Sequence, residues 1–181
     1  MPLSPIEEKF ILHWGEMGTR WGINRTVAQV HALLFVSPKP LHAEEIASTL
    51  AVARSNVSTS LRELQGWGIV RVVHLLGDRR DHFESVKDVW EIFRIVAEER
   101  KRREIDPTLQ VLQECAGELK KAGAGSAYTR ERLEDMLDFL TTTSSLFEEL
   151  VHIPTATLKG MTRLRGKLKF LLAVKKKPAE D

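Results

Sequence analysis

Residues 41 to 84 constrain the fold more than any other stretch, because a short helix, a tight turn, a second helix, a strand and a basic hairpin succeed one another there. Leu41-His42-Ala43-Glu44-Glu45-Ile46-Ala47-Ser48-Thr49-Leu50 opens the first helix. Ile46, Ala47 and Leu50 share one face at helical spacing, and Glu44 and Glu45 suit the positive end of the helix dipole. Ala51-Val52-Ala53 forms the turn, with Val52 as the plug between the helices. The second helix begins near Arg54-Ser55-Asn56, where Ser55 or Asn56 serves as N-cap. Val57, Leu61 and Leu64 recur at i, i+4 and i+7 and face the core, which sends Ser55, Thr59 and Arg62 to the opposite side, flanked by Asn56 and Ser58. Gly66 and Gly68 end this helix around Trp67. Ile69-Val70-Arg71-Val72-Val73-His74-Leu75-Leu76 is strand-like, Gly77-Asp78-Arg79-Arg80-Asp81 breaks it, and His82-Phe83-Glu84 returns.

A small, polar outer face carrying one Arg is what a helix needs to enter a major groove, where base edges offer donors and acceptors. A hairpin with Arg79 and Arg80 at its tip, placed directly after such a helix, reads as a wing reaching DNA backbone or minor groove. A helical hairpin with a solvated charged turn is the alternative. The candidate DNA contacts are therefore Arg54, Ser55, Asn56, Ser58, Thr59 and Arg62 on the helix, and Arg79 and Arg80 on the wing.

The runs Trp21-Gly22-Ile23-Asn24-Arg25-Thr26-Val27-Ala28-Gln29-Val30-His31-Ala32-Leu33-Leu34 and Ala53-Arg54-Ser55-Asn56-Val57-Ser58-Thr59-Ser60-Leu61-Arg62-Glu63-Leu64 resemble the MarR superfamily, and more narrowly its GbsR-type branch of transcriptional regulators. Gly77-Asp78-Arg79-Arg80-Asp81 resembles the Asp/Arg wing tip of MarR proteins. The Leu-Thr-x-x-Gly usual after that wing is replaced here by Phe83-Glu84-Ser85-Val86-Lys87-Asp88. The resemblance implies a homodimeric winged helix-turn-helix regulator. Its GbsR-type part implies control of choline or glycine betaine uptake or synthesis.

At 181 residues, with 43% apolar and 29% charged side chains, the chain has globular composition. The net charge of +2 does not itself suggest nucleic acid, but its distribution is uneven. From Ile153 to Asp181 there are eight Lys/Arg against two Asp/Glu. A single cysteine excludes an intrachain disulfide framework, and neither a signal peptide nor a run of 18 apolar residues is present. These features point to a soluble, cytoplasmic protein.

Elsewhere the periodicity predicts helices. The first, an amphipathic helix from Pro5 to Met17, opens after Ser4 with Pro5 at a first-turn position and has Ile6, Phe10, Ile11 and Trp14 as its apolar residues; Gly15, Gly18 and Gly22 loosen the connection to the second. An Asn24-capped helix runs to about Phe35, burying Ile23, Val27, Val30 and Leu34, and Ser37-Pro38-Lys39-Pro40 stops it. Beyond the wing, Ser85 to Arg103 reads as one helix with Val89, Ile92, Phe93 and Val96 buried, and Asp106-Pro107 as a break. Further helices span Thr108 to Lys121 and Thr129 to His152. Leu158, Met161, Leu164, Leu168, Leu171 and Leu172 then stripe a strongly basic last helix, for which membrane-surface attachment is the weaker alternative to protein packing. Stripes on so many helices need covering, so N- and C-terminal helices are expected to pack across a two-fold axis.

The expected architecture is mainly α with a small β wing, divided into residues 1–23 (N-terminal helix, dimerisation), 24–86 (winged helix-turn-helix) and 87–181 (helical dimerisation and effector region). The six histidines are scattered with no metal-ligand grouping, and Cys115 reads as a small apolar side chain rather than a redox sensor. No nucleophile triad, phosphate loop or paired carboxylates stand out, so neither an enzyme nor a cofactor is expected. Trp14, Trp21, Trp67 and Trp90 read first as core and interface aromatics; the resemblance adds that Trp14 and Trp21 could cage a quaternary ammonium group by cation–π attraction. The expected function is a DNA-binding homodimer, more a repressor than an activator, open to a small-molecule effector. A winged-helix protein-interaction scaffold and a non-specific architectural DNA binder are the alternatives.

Overall fold

Ser4 begins the ordered architecture by closing a capping box: the Glu7 N–H donates to Ser4 Oγ at 3.3 Å and the Ser4 N–H to Glu7 Oε2 at 2.8 Å. The computed structural model describes residues 2–122 and 127–157. Helix α1, Pro5–Arg20, runs about one turn beyond its expected end and contains Gly15 and Gly18, both buried. These glycines do not loosen a connection. A Cβ on Gly18 would stand 2.5 Å from the Cβ of Ala28, so its bare backbone is what lets α1 lie against α2, Arg25–Val36. Gly22 alone makes the turn, with φ of 76°. On α1, Ile11 is buried and Phe10 and Trp14 half-buried against the core, whereas Ile6, at the start of the helix, is 81% exposed.

Helix α2, capped by the Asn24 side chain on the Thr26 N–H at 2.8 Å, is buried on most sides. Val27, Val30, Leu33 and Leu34 sit among Leu41, Ile46, Val57, Leu61, Leu64, Ile69, Val70 and Phe83 in one core. Its C-terminus is closed from a distance: Lys87 Nζ donates to the carbonyls of Leu34, Phe35 and Ser37 at 2.8, 2.9 and 2.8 Å.

Leu41–His42 is a short strand, β1, rather than the start of a helix. It pairs antiparallel with β3, His82–Ser85, in the register Leu41 to Phe83 and His42 to His82. Strand β2, Val70–Val73, flanks β3 on its other edge, so the sheet order is β1-β3-β2. Helix α3, Ala43–Leu50, therefore starts later than the pattern suggested, with His42 at its N-cap. The turn after it holds Ala51 left-handed, φ 52°. Val52 packs half-buried against the core, as its role of plug required. Helix α4, Arg54–Trp67, is capped by Ala53 without a side-chain hydrogen bond, so neither Ser55 nor Asn56 caps it. Gly68, φ 83°, ends it as expected.

Ser85 belongs to β3, so the next helix, α5 (Val89–Arg100), starts later than expected; Asp88 Oδ1 accepts from the Trp90 N–H at 2.8 Å at its first turn. Ile92 and Val96 pack on the core together with Ile95, while Val89 and Phe93, expected in the same stripe, are 62% and 56% exposed. The chain forms two compact units, divided between Glu99 and Arg100. In the second, a π-helical turn, Lys101–Ile105, leads into α6, Asp106–Ala122. The π-turn replaces the predicted break: Asp106 after it is right-handed helical and its N–H donates back to the Lys101 carbonyl, so the helix continues up to Pro107. Lys101 Nζ donates to Asp106 Oδ1 at 2.6 Å and lies 2.9 Å from Glu148 Oε1 of α7, Ala127–His152. Cys115 is half-buried rather than enclosed. Gly123 to Ser126 and the basic stripe from Leu158 to Leu172 lie outside the described residues. Among the described residues no helix is long and apolar enough to cross a membrane.

Candidate nucleic-acid interface

Helix α4 projects two faces of opposite character. Val57, Ser60, Leu61 and Leu64 are buried, while Arg54, Ser55, Asn56, Thr59 and Arg62 are exposed and Ser58 is half-buried. Burial of the small Ser60 beside Leu61 widens the inward face by one position beyond the simple i, i+4, i+7 reading. Between α4 and the wing lies an open groove of about 400 Å³, lined among others by Glu44, Arg54, Ser58, Arg62, Gln65 and Arg80. Three arginines from two elements thus converge on one concave surface, the electrostatic requirement for a phosphate backbone.

These arginines are held differently. Arg54 Nε lies 2.7 Å from Glu44 Oε1, so the first residue of α4 is tied back to the first turn of α3. Arg62 and Arg79 are exposed and have no hydrogen-bond or ion-pair partner among the described residues. Arg80 is held most firmly: its Nε donates to Asp78 Oδ1 and Oδ2 at 2.9 and 3.1 Å, and its Nη1 lies 2.9 Å from His42 Nε2. The Arg80 backbone N–H also donates to Asp78 Oδ1 at 3.0 Å, and Gly77, φ 84°, supplies the left-handed residue the turn needs. The side-chain hydrogen bonds from Arg80, followed by its backbone N–H, hold the Asp78 carboxyl far below the usual carboxylate range. The wing is therefore a closed turn with one arginine folded inward and one left outward.

His42, His82, Asp78 and Glu44, which organise this surface, do not stand out as site residues in the sequence. The Asp-x-Arg spacing of Asp78 and Arg80 is the available signal for the inward turn. No comparable signal marks His42, because its partner lies 38 positions away. Among the described residues no three His, Cys, Asp or Glu side chains converge so as to hold a metal ion.

A second concavity, apolar and of about 230 Å³, lies between α1, α2 and the start of α5, lined by Phe10, Trp14, His31, Ala32, Phe35, Val89 and Ile92. Trp14 is part of this lining. Trp21 is not: at the C-cap of α1 and 47% exposed, it meets Trp14 edge-on with ring centroids 5.9 Å apart. His31 is 7% exposed and its Nε2 has no hydrogen-bond partner among the described residues. Burial, and then the nearby Lys87 cation, push its pKa down to about 4, so the ring is neutral near pH 7.

Helix, left-handed turn, core-anchored second helix and a three-stranded sheet ending in a wing together define a winged helix-turn-helix. In agreement, the family model of the MarR family matches residues 21–81, from the end of α1 to the wing. A solved structure described as that of a transcriptional regulator aligns with 24% identity over 81% of this chain and 96% of its own, with a TM-score of 0.61, and shares the fold. The transcriptional regulator Tm0710 from Thermotoga maritima aligns with 18% identity over 77% of this chain and 87% of its own, with a TM-score of 0.38. No curated protein matches.

Proposed function

We propose that the chain is a transcriptional regulator of the MarR superfamily, in its GbsR-type branch, that binds double-stranded DNA as a homodimer in the cytoplasm and acts as a repressor. It is a binding protein, not an enzyme. The observation that carries the reading is the groove between α4 and the wing, where Arg54, Arg62 and Arg80 converge beside the exposed Ser55, Asn56 and Thr59. α4 would lie in a major groove and Arg79 at the backbone or minor groove alongside. The homodimer reading is supported by a second stripe on α7, in which Met136, Phe139, Leu146 and Leu150 are all at least half exposed. Duplexes selected from a random pool, titrated with salt beside an unselected duplex, test the reading. A steep salt dependence on both, with tighter binding to the selected duplex, is expected. Equal affinity for both would leave an architectural binder, and no binding a protein-interaction scaffold.

The apolar cavity supports a small-molecule effector site. Phe10, Trp14 and Phe35 offer aromatic faces to a quaternary ammonium group. The Lys87 ammonium, 6.0 Å from the Phe35 ring centroid and with its three N–H groups already given to backbone carbonyls, opposes a lone cation there more than a net-neutral zwitterion. The site thus favours glycine betaine over choline. Calorimetry with each compound on wild type and Trp14→Leu tests this: betaine heat lost in the variant is expected, and stronger choline binding would overturn the preference.

A further inference from the structure

We propose that His42 is a positioning residue, the centre of a hydrogen-bonded relay from Asp78 through Arg80, His42 and Glu44 to Arg54 that fixes the wing against α4 and presets two arginines for one DNA backbone. The inference rests on the DNA-binding reading above and assigns that surface a residue outside its contact face.

The donor chemistry fixes the relay's direction. A guanidinium only donates, so the Arg80 Nη1 at 2.9 Å obliges His42 Nε2 to accept. The imidazole is then neutral with its proton on Nδ1, which donates to Glu44 Oε2 at 3.0 Å. Glu44 Oε1 in turn accepts from Arg54 Nε at 2.7 Å. The Glu45 N–H, 3.4 Å from the same Nδ1, meets a protonated nitrogen, so the α3 cap rests instead on the His42 N–H donating to Glu45 Oε2 at 3.2 Å. Two ion pairs, Asp78 with Arg80 and Glu44 with Arg54, are thus joined by one uncharged ring. The ring itself cannot shift: it is 9% exposed, its residue pairs with His82 between β1 and β3, and the two imidazoles meet edge-on at 5.6 Å.

What the relay leaves free matters as much as what it binds. A guanidinium carries five N–H groups. Arg54 spends its Nε–H on Glu44, and Arg80 its Nε–H and part of each Nη on Asp78 and His42. Both retain Nη donors, and both line the groove with Glu44. Side chains already held in place lose less rotamer freedom when they bind, so the relay raises affinity without touching DNA.

Two variants of the full chain separate the halves of the ring. His42→Asn keeps a short donor facing Glu44 and leaves the backbone N–H cap to Glu45 in place, but falls short of Arg80. His42→Gln extends a carbonyl oxygen to about the place of Nε2. On a random-sequence duplex, His42→Asn is expected to weaken binding roughly three- to tenfold with an unchanged salt slope, and His42→Gln to restore most of it. Added to Arg80→Ala, His42→Asn should cost less than about twofold more, since the partners act as a unit. In the free protein, His42→Asn should speed amide exchange at residues 78–81. An equal loss with and without Arg80, or unchanged affinity in His42→Asn, overturns the proposal, and so does unchanged exchange. Should wild type bind no duplex, the DNA-binding reading falls, and the exchange measurement alone decides whether His42 fixes the wing.

Discussion

Lys87 donates to the carbonyl of Phe35 at 2.9 Å while its ammonium stands 6.0 Å from the centre of the same residue's ring. With the carbonyls of Leu34 and Ser37 also accepting from Nζ, this one side chain closes the C-terminus of α2 from the far side of the wing. Charge-assisted hydrogen bonds contribute about 1.5–3 kcal/mol each when enclosed. Lys87 is largely exposed, so Lys87→Met should lower stability by only ~1–2 kcal/mol after solvent screening. Urea unfolding measures this, and an unchanged midpoint would show that water replaces the cap without loss.

The same cation bears on His31. With a folded pKa of about 4 and an unfolded value near 6.5, His31 takes up its proton more readily in the unfolded chain. Stability is thus complete above about pH 6.5 and falls as pH drops from there toward 4, by about 3 kcal/mol in total. His31→Phe should remove most of this slope and relieve the unpartnered Nε2. Lys87→Met should raise the folded pKa and so shrink the slope, because one of the two influences lowering that pKa is gone. Unfolding midpoints at about pH 7.5, 6 and 5 for the three chains test the coupling; parallel curves would remove His31 as the source.

The close approach of α1 and α2 sets up a contrast between two glycines. A Cβ on Gly18 meets the Cβ of Ala28 at 2.5 Å, and neither can move without the helices parting. A Cβ on Gly15 meets the Gln29 side chain at 2.7 Å, which can swing aside. Gly18→Ala should destabilise by ~1–3 kcal/mol as an overpacked contact. Gly15→Ala should be near neutral, its better helix propensity offsetting the shifted Gln29. Thermal melts of the two variants that coincide would place the helix contact elsewhere.

How much of the fold and site was legible depends on the range of the forces involved. The α3–turn–α4 core reads from local periodicity, because Ile46, Val57, Leu61 and Leu64 are spaced for one face and each is buried. Leu41 and His42 misread as helix because their partners, Phe83 and His82, are 42 and 40 positions on, and pairing across that distance overrides local pattern. Val89 and Phe93 fit a helical stripe as well as Ile92 and Val96 do, but only the latter pair has core atoms to meet. In the site, the exposed polar face of α4 was legible from angle alone. The inward fold of Arg80 was not, since only the folded sheet brings His42 within its reach.

Ala51 offers a test of the turn between α3 and α4. It is the one non-glycine residue with positive φ among the described residues, at 52°. The left-handed region costs an L-residue roughly 1–2 kcal/mol, while glycine loses ~0.5–1 kcal/mol in chain entropy. Ala51→Gly should therefore raise stability by a few tenths to ~1 kcal/mol. A lower melting temperature would show that the methyl group makes contacts outweighing the backbone strain.

The two unpartnered arginines should divide the labour on DNA. Arg79 stands outward at the wing, while Arg62 lies on the exposed face of α4 at the edge of the groove. Neither is committed to a protein acceptor among the described residues, so neither must exchange an internal bond for one to DNA. Arg79→Ala should weaken all duplexes by a similar factor and make the salt slope shallower by ~0.9 for each phosphate it no longer neutralises. Arg62→Ala should instead alter which sequence is preferred, with ~1–3 kcal/mol at stake if it meets a base edge in bidentate fashion. Arg80→Ala combines both kinds of loss, since it removes donors facing the groove and also frees the wing from His42. Affinities of the three variants on selected and unselected duplexes at several salt concentrations separate these effects. If Arg79→Ala leaves both affinity and slope unchanged while Arg62→Ala shallows the slope on every sequence, the roles of helix and wing are reversed.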